Sequence, residues 1–199
     1  DLSGRPAPPG GIRSFAGRLL EGVIAIPGVE SAAISSSVPL DIHGLPSRVF
    51  TVDGRQRADG EFDQALANTV TPGYFDVMKI PILAGHDFAR LEDVAAPAQV
   101  IVNQAFVDAY IERGARGEVA LGRQVDARGK SHVIIGVVQT TLYNAFGEPP
   151  TPALYFSYRD GGGNQGEIHV RTRAGAETAV TPGVRQAVKA IDADLPVFN

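Results

Sequence analysis

The chain has 199 residues, 44% hydrophobic and 20% charged, with a formal net charge of −4; this is the balance of a globular fold and excludes wholesale disorder. The 18 Lys and Arg are scattered, so no basic cluster could neutralise a run of phosphates, and nucleic-acid binding has no electrostatic support. The absence of Cys excludes disulfides, thiolate metal sites and a Cys nucleophile, and with no Trp and 7% aromatic residues a large aromatic ligand platform is not expected.

Residues 1–10 form a polar, Pro/Gly-rich lead, read as a linker or disordered segment, with no signal peptide and no initiating Met. No stretch approaches the roughly 20 apolar residues needed to span a bilayer. The longest near-apolar run, His132-Val-Ile-Ile-Gly-Val-Val138, is strand-sized. The chain is therefore read as a fragment whose export signal or anchor lies outside it.

Ile12, Phe15, Leu19, Val23 and Ile26 recur every three or four residues and predict an amphipathic helix over about 12–26, stopped by Pro27-Gly28. Val29 to Ser35 reads as a short strand. A loop with two prolines follows, then an alternating strand from Ser47 to Asp53 closed by the Asp53-Gly54 turn. A further strand is expected at Ala65 to Val70.

Thr71-Pro72 reads as a helix entry, a capping hydroxyl followed by a proline that needs no donor, with Tyr74, Phe75, Val77 and Met78 in the short helix and Pro81 ending it. Gln99 to Val102 is a buried-type strand, and Asn103 is placed to cap a helix carrying Phe106, Val107 and Tyr110. Arg128-Gly129 reads as a hairpin turn before the strongest strand, Val133 to Val138. Strands at Ala153 to Tyr158 and Glu167 to Arg173 flank a Gly-rich loop, 160–166. The last helix carries Val180, Val184, Ala187, Val188 and Ile191, with Thr181-Pro182 as a candidate start. Helices and strands intermingle without regular alternation, so the fold class is α+β.

The chain offers few candidates for chemistry. His43, His86, His132 and His169 are far apart, and none lies at metal-ligand helical spacing; solvent-facing or hydrogen-bonded strand histidines are expected instead. Ser35-Ser-Ser37 lacks the Gly-x-Ser-x-Gly elbow of a hydrolase, although Asp41 and His43 follow closely. The glycine-rich loops 114–117 and 160–166 open no helix that could cradle phosphate. Asp87, Glu92 and Asp93 share a loop without calcium-site spacing, and Asp192 and Asp194 close the last helix. No catalytic, cofactor-binding or metal-binding residue is assigned. Tyr143-Asn-Ala-Phe-Gly-Glu-Pro-Pro150 joins aromatics to a rigid double proline, so Tyr143, Phe146, Pro149 and Pro150 are the candidate partner-contact residues.

Thr71-Pro-Gly-Tyr-Phe-Asp-Val-Met-Lys-Ile-Pro-Ile-Leu-Ala-Gly-His-Asp-Phe88, Gln99-Val-Ile-Val-Asn-Gln-Ala-Phe106, Leu121-Gly-Arg-Gln-Val125, Val133-Ile-Ile-Gly-Val-Val138 and Pro152-Ala-Leu-Tyr155 follow one another in the chain, with Pro27-Gly-Val29 upstream. Taken together, these segments resemble the MacB-like periplasmic core domain of ABC transporter permeases in the FtsX-like superfamily. The ending, 187–199, is similar to the duplicated orphan permeases of acidobacteria. The resemblance implies two subdomains: a porter-like α/β unit from both chain ends (11–71 plus 152–199) and an inserted mixed α/β unit (72–151). It implies a non-catalytic periplasmic domain, rooted in the inner membrane through flanking helices, that transmits conformational change and engages substrate or partner proteins in efflux. A cytoplasmic ATPase acting through those helices, and a second permease copy or a periplasmic adaptor protein, are the implied partners. The competing expectations are a stand-alone periplasmic ligand-binding module with a pocket between subdomains and, far behind, a hydrolase using Ser36 or His43.

Overall fold

A computed structural model describes residues 8, 10–40, 44–55, 57–58, 60–91, 97–161 and 166–193. The expectations placed on the lead, on Asp41 and His43, on Glu92 and Asp93, on the tip of the Gly-rich loop and on Asp194 fall outside these residues.

In chain order the helices are α1 (Gly11–Ile24), α2 (Tyr74–Val77), α3 (Gln104–Tyr110) and α4 (Glu177–Ile191). The strands are β1 (Val29–Ser35), β2 (Ser47–Val52), β3 (Asp63–Val70), β4 (Ile82–Gly85), β5 (Gln99–Asn103), β6 (Gln124–Ala127), β7 (Lys130–Val138), β8 (Ala153–Ser157) and β9 (Glu167–Thr172). Helices and strands mix, as the α+β reading expects.

The described strands form one mixed sheet in the order β2-β6-β7-β5-β8-β3-β1-β9, with β4 added on β7. Because β2 also pairs β3 antiparallel, six strands close into a ring, which removes their free edges. β3/β8 and β5/β7 run parallel, and the other pairs are antiparallel. Alternation along each ring strand then assigns the faces. Phe50, Val52, Ala65, Ala67, Val100, Val102, Val125, Ala127, Ile134, Leu154 and Phe156 fill the interior, with Phe106 and Val107 of α3 packed on them. A second apolar cluster on the outer face buries Ile101, Val138, Ala153 and Tyr155 under Tyr74, Phe75 and Val77 of α2. The third lies between the β1/β9 pair and α1 and α4. Hydrogen bonding is continuous across residues 71/72 and 151/152, since β8 sits between β5 and β3.

Local chemistry explains most boundaries. Asn103 Oδ1 accepts from Phe106 N at 3.0 Å and so caps α3 as its position predicts. Arg128 and Gly129 both have positive φ, 56° and 73°, the two-residue turn that matches strand twist between β6 and β7. β4 lies so close to β7 that a Cβ on Gly85 would meet the Ile135 carbonyl and one on Gly136 would lie 2.6 Å from the His86 carbonyl; both positions need glycine.

Two entries into helices differ from expectation. Thr71 does not cap α2, because its Oγ1 accepts from Ile34 N at 2.9 Å and ties β1 to the end of β3; the N-cap is Gly73, at φ 84°. The last helix starts at Glu177, not at Thr181-Pro182. Pro182 stands inside α4, where it removes one ladder donor, while Thr181 Oγ1 donates to Glu177 O at 3.0 Å.

Candidate functional site

The loop between β7 and β8 holds the four residues singled out from the sequence, and the structure separates them. Tyr143 points inward, only 1% exposed. Its hydroxyl bonds Tyr155 Oη at 2.6 Å and accepts from Asn103 Nδ2 at 3.3 Å. It is a core anchor that no partner could touch, because the hydroxyl finds its hydrogen bonds inside, beneath α2. Phe146 is 86% exposed, and Pro149 and Pro150 are also at the surface.

Glu148 fixes the loop between these two kinds of residue. Its carboxylate accepts from three successive backbone amides, Tyr143 N, Asn144 N (3.1 Å) and Ala145 N (3.3 Å). Such a row of N–H groups is a natural nest for an anion. Asn144 Oδ1 accepts from Leu45 N at 3.1 Å and Leu40 N donates to Tyr143 O at 2.6 Å, which joins this loop to the one after β1. The pair of loops also exposes Leu40 and Leu142. An exposed phenyl ring held on an ordered turn can bind with little further loss of conformational freedom. The acidic residue was visible in the sequence, but nothing in its spacing revealed that it closes the turn.

The serine cluster is structural. Ser36 Oγ donates to Asn68 Oδ1 and accepts from Thr69 N, both at 3.0 Å. Ser35 Oγ lies 2.7 Å from His169 Nε2, a pairing the sequence did not reveal because the two are joined only by the β1/β9 register. Ser35 Oγ donates to Ser37 O, so the histidine supplies the proton of the shared bond. A hydroxyl that is fully buried and already donating elsewhere is not an activated nucleophile. Among the described residues no three His, Asp or Glu side chains gather as a metal site.

His132 is not solvent-facing. It lies in the ring interior, 3% exposed, edge-on to Phe156. His169 is half-buried against Tyr74. Burial lowers both pKa values below the ordinary 6.5, since it disfavours the charged ring. The unfolded chain therefore binds more protons than the folded one as the solution is acidified. Stability is complete above the unfolded value and falls as the pH drops through it and on through the lower folded values. Urea midpoints are expected to decline between about pH 7 and pH 5, and His132→Gln to flatten that slope. An unchanged slope would show that His132 does not contribute.

α1 and α4 pack antiparallel on the β1/β9 pair. A Cβ on Gly22 would lie 3.6 Å from that of Ala187, one on Gly183 would meet Ile26, and one on Gly28 would meet Ala176 and Val180. Numbers that rise along one helix fall along the other. The start of α1 and the end of α4 consequently lie at the same end of the pair. No helix among the described residues is long and apolar enough to cross a membrane.

The sequence pattern of the MacB-like periplasmic core domain matches residues 3–190. The chain belongs to the MacB-like periplasmic core domain family. Domains of this family are parts of ABC-type transporters. Solved structures with the same fold include the extracellular domain of the noncanonic ABC-type transporter YknZ from Gram-positive bacteria, at 17% identity and TM-score 0.61, with 92% of this chain and 90% of that one covered. The periplasmic region of MacB from Actinobacillus actinomycetemcomitans is similar at 18% identity and TM-score 0.59, covering 89% and 72%. A domain of a putative permease protein from Porphyromonas gingivalis follows at 13% identity and TM-score 0.51, covering 84% and 75%. No curated protein matches the sequence.

Proposed function

We propose that this MacB-like domain is the periplasmic part of an inner-membrane ABC permease, without catalysis of its own, that transmits conformational change and engages substrate or partner proteins in export. The observation that carries the proposal is the antiparallel α1/α4 pair, whose two outer ends lie at the same end of the pair and suit attachment to neighbouring membrane helices. ATP hydrolysis by a cytoplasmic ATPase would then reach the domain as a displacement of those ends. The contact surface in this reading is Phe146 with Pro149 and Pro150 on the Glu148-closed loop, facing an adaptor protein or a second permease.

The reading also carries a division into a porter-like unit drawn from both chain ends (11–71 plus 152–199) and an inserted unit (72–151). It is supported by the third apolar cluster, whose members other than Leu91 all come from the two ends. Because β2, β3 and β8 share a sheet with β5, β6 and β7, the two units would move as packed pieces of one framework.

Cysteine labelling of the membrane-embedded parent, read against the unsubstituted parent, tests the placement, since this domain contributes no Cys of its own. Phe62→Cys, an exposed position outside the proposed contact, is expected to react in intact cells with a maleimide that passes the outer membrane but not the inner one. Labelling only after lysis would reject the periplasmic assignment, and a soluble processed parent would favour the stand-alone binding module. Phe146→Ala should lower export about tenfold through lost partner affinity while leaving the urea midpoint unchanged.

A further inference from the structure

β9 ends the sheet and pairs only β1 among the described strands. Its backbone orientation follows from three hydrogen bonds on the far side of β1. Ile34 N donates to Thr71 Oγ1, Thr71 N donates to Ile34 O, and Ser36 N donates to Thr69 O. Ile34 and Ser36 therefore turn their backbone groups towards β3, and Ala33 and Ser35 turn theirs towards β9. The partners of these two are His169 and Glu167. Alternation then directs the N–H and C=O groups of Ile168, Val170 and Thr172 to the open edge.

Among the described residues no further strand pairs this edge, and two of the usual blunting devices are absent from it. β9 contains no proline, and the irregularity in its ladder sits on β1, between Val29 and Ser31. A groove of about 530 Å³ runs along it, with Val77 and Met78 of the α2 segment on one wall and Glu177 of α4 on the other. An added strand of about five residues needs a slot of this kind, about 17 Å long and beside a free ladder.

The charge in the groove selects the occupant. Arg171 is half-buried and donates from Nε and Nη2 to the Val77 carbonyl. No carboxylate pairs with it among the described residues. Its stem lies beside the apolar wall of Val77 and Met78, and it is left with donors that fit a carboxylate. Glu177, on the opposite wall, accepts from Gly175 N at 3.2 Å and is itself a carboxylate, so an acidic residue of the occupant belongs on the Arg171 side.

We propose that β9 takes up an extended segment of a partner polypeptide as an added strand, with an Asp or Glu of that segment on Arg171. β-Branched residues at alternate positions would pack between Ile168 and Val170 on the α4 side and against Val77 and Met78 on the other.

Randomised short peptides displayed on phage are the probe, selected against the 199-residue chain. Enriched peptides are expected to combine β-branched alternation with one acidic residue, and to slow amide exchange at Ile168, Val170 and Thr172. Arg171→Met, which keeps the stem, should weaken them about tenfold, the loss of one charge-assisted pair. Val170→Pro removes an N–H that faces outward, leaves the β1 ladder its bonds, and should abolish binding. If that variant folds poorly, Arg171→Met and the exchange pattern decide. No enrichment, or peptides that bind both variants as the wild type, would overturn the proposal. So would self-association of the wild type that Val170→Pro removes, which would give the edge to a second copy.

Discussion

Replacing Asn103 by alanine is expected to destabilise the fold by about 4 kcal/mol, a large loss for a single uncharged side chain. The residue is fully buried at the junction of β5 and α3 and uses every part of its amide. Oδ1 accepts from Phe106 N at 3.0 Å and from Ala153 N at 2.9 Å. Nδ2 donates to Thr151 O at 2.8 Å and to Tyr143 Oη at 3.3 Å. Alanine therefore removes a helix cap, which alone is worth about 1 kcal/mol. It also leaves the Ala153 amide and the Thr151 carbonyl without their partner, each costing about 1–3 kcal/mol where water cannot reach. Urea unfolding should show a lower midpoint at unchanged slope, because the surface exposed on unfolding stays the same. A loss below about 1.5 kcal/mol would mean that the loop from Thr141 to Pro152 moves to let water in.

Asn103 also shows which part of the fold was legible in the sequence. An Asn directly before an apolar run announces a cap, and Arg128-Gly129 announces a tight turn, because both signals are local and concern backbone conformation. The amphipathic stripes of α1 and α4 are legible for the same reason. Ring closure is not, since β2 meets β3 and β6 through side chains any half-buried strand could carry. Tyr143 was read as a surface aromatic because a loop has no period to say which way a side chain points. Thr71 was read as a cap, yet β1 offered its hydroxyl an amide that the sequence could not place nearby. The groove along β9 needs α2, β9 and α4 together, and only the fold brings them there. What could be read of the candidate contact loop was its composition; its presentation depends on Glu148.

A disulfide between Gly22→Cys and Ala187→Cys is expected to raise stability more than any other single change, and to report on whether the two outer ends move. The Cβ separation of 3.6 Å lies within the range a disulfide needs, and the chain has no other cysteine to compete. Closing nearly the whole chain into one loop restricts the unfolded state by about 5 kcal/mol if the native geometry is not strained. The thermal midpoint should therefore rise on oxidation and return on reduction. The functional outcome in the membrane-embedded parent follows from the proposed mechanism. If the start of α1 and the end of α4 are displaced together, as one handle for the whole domain, oxidised and reduced parents export alike. If export instead needs α1 to slide past α4, the staple holds Gly22 on Ala187 and export stops until a reductant is added. Their close packing, glycine against alanine with Gly183 on Ile26, favours the first outcome. A shear of even one helical turn, about 5.4 Å, would carry each small residue opposite a larger neighbour.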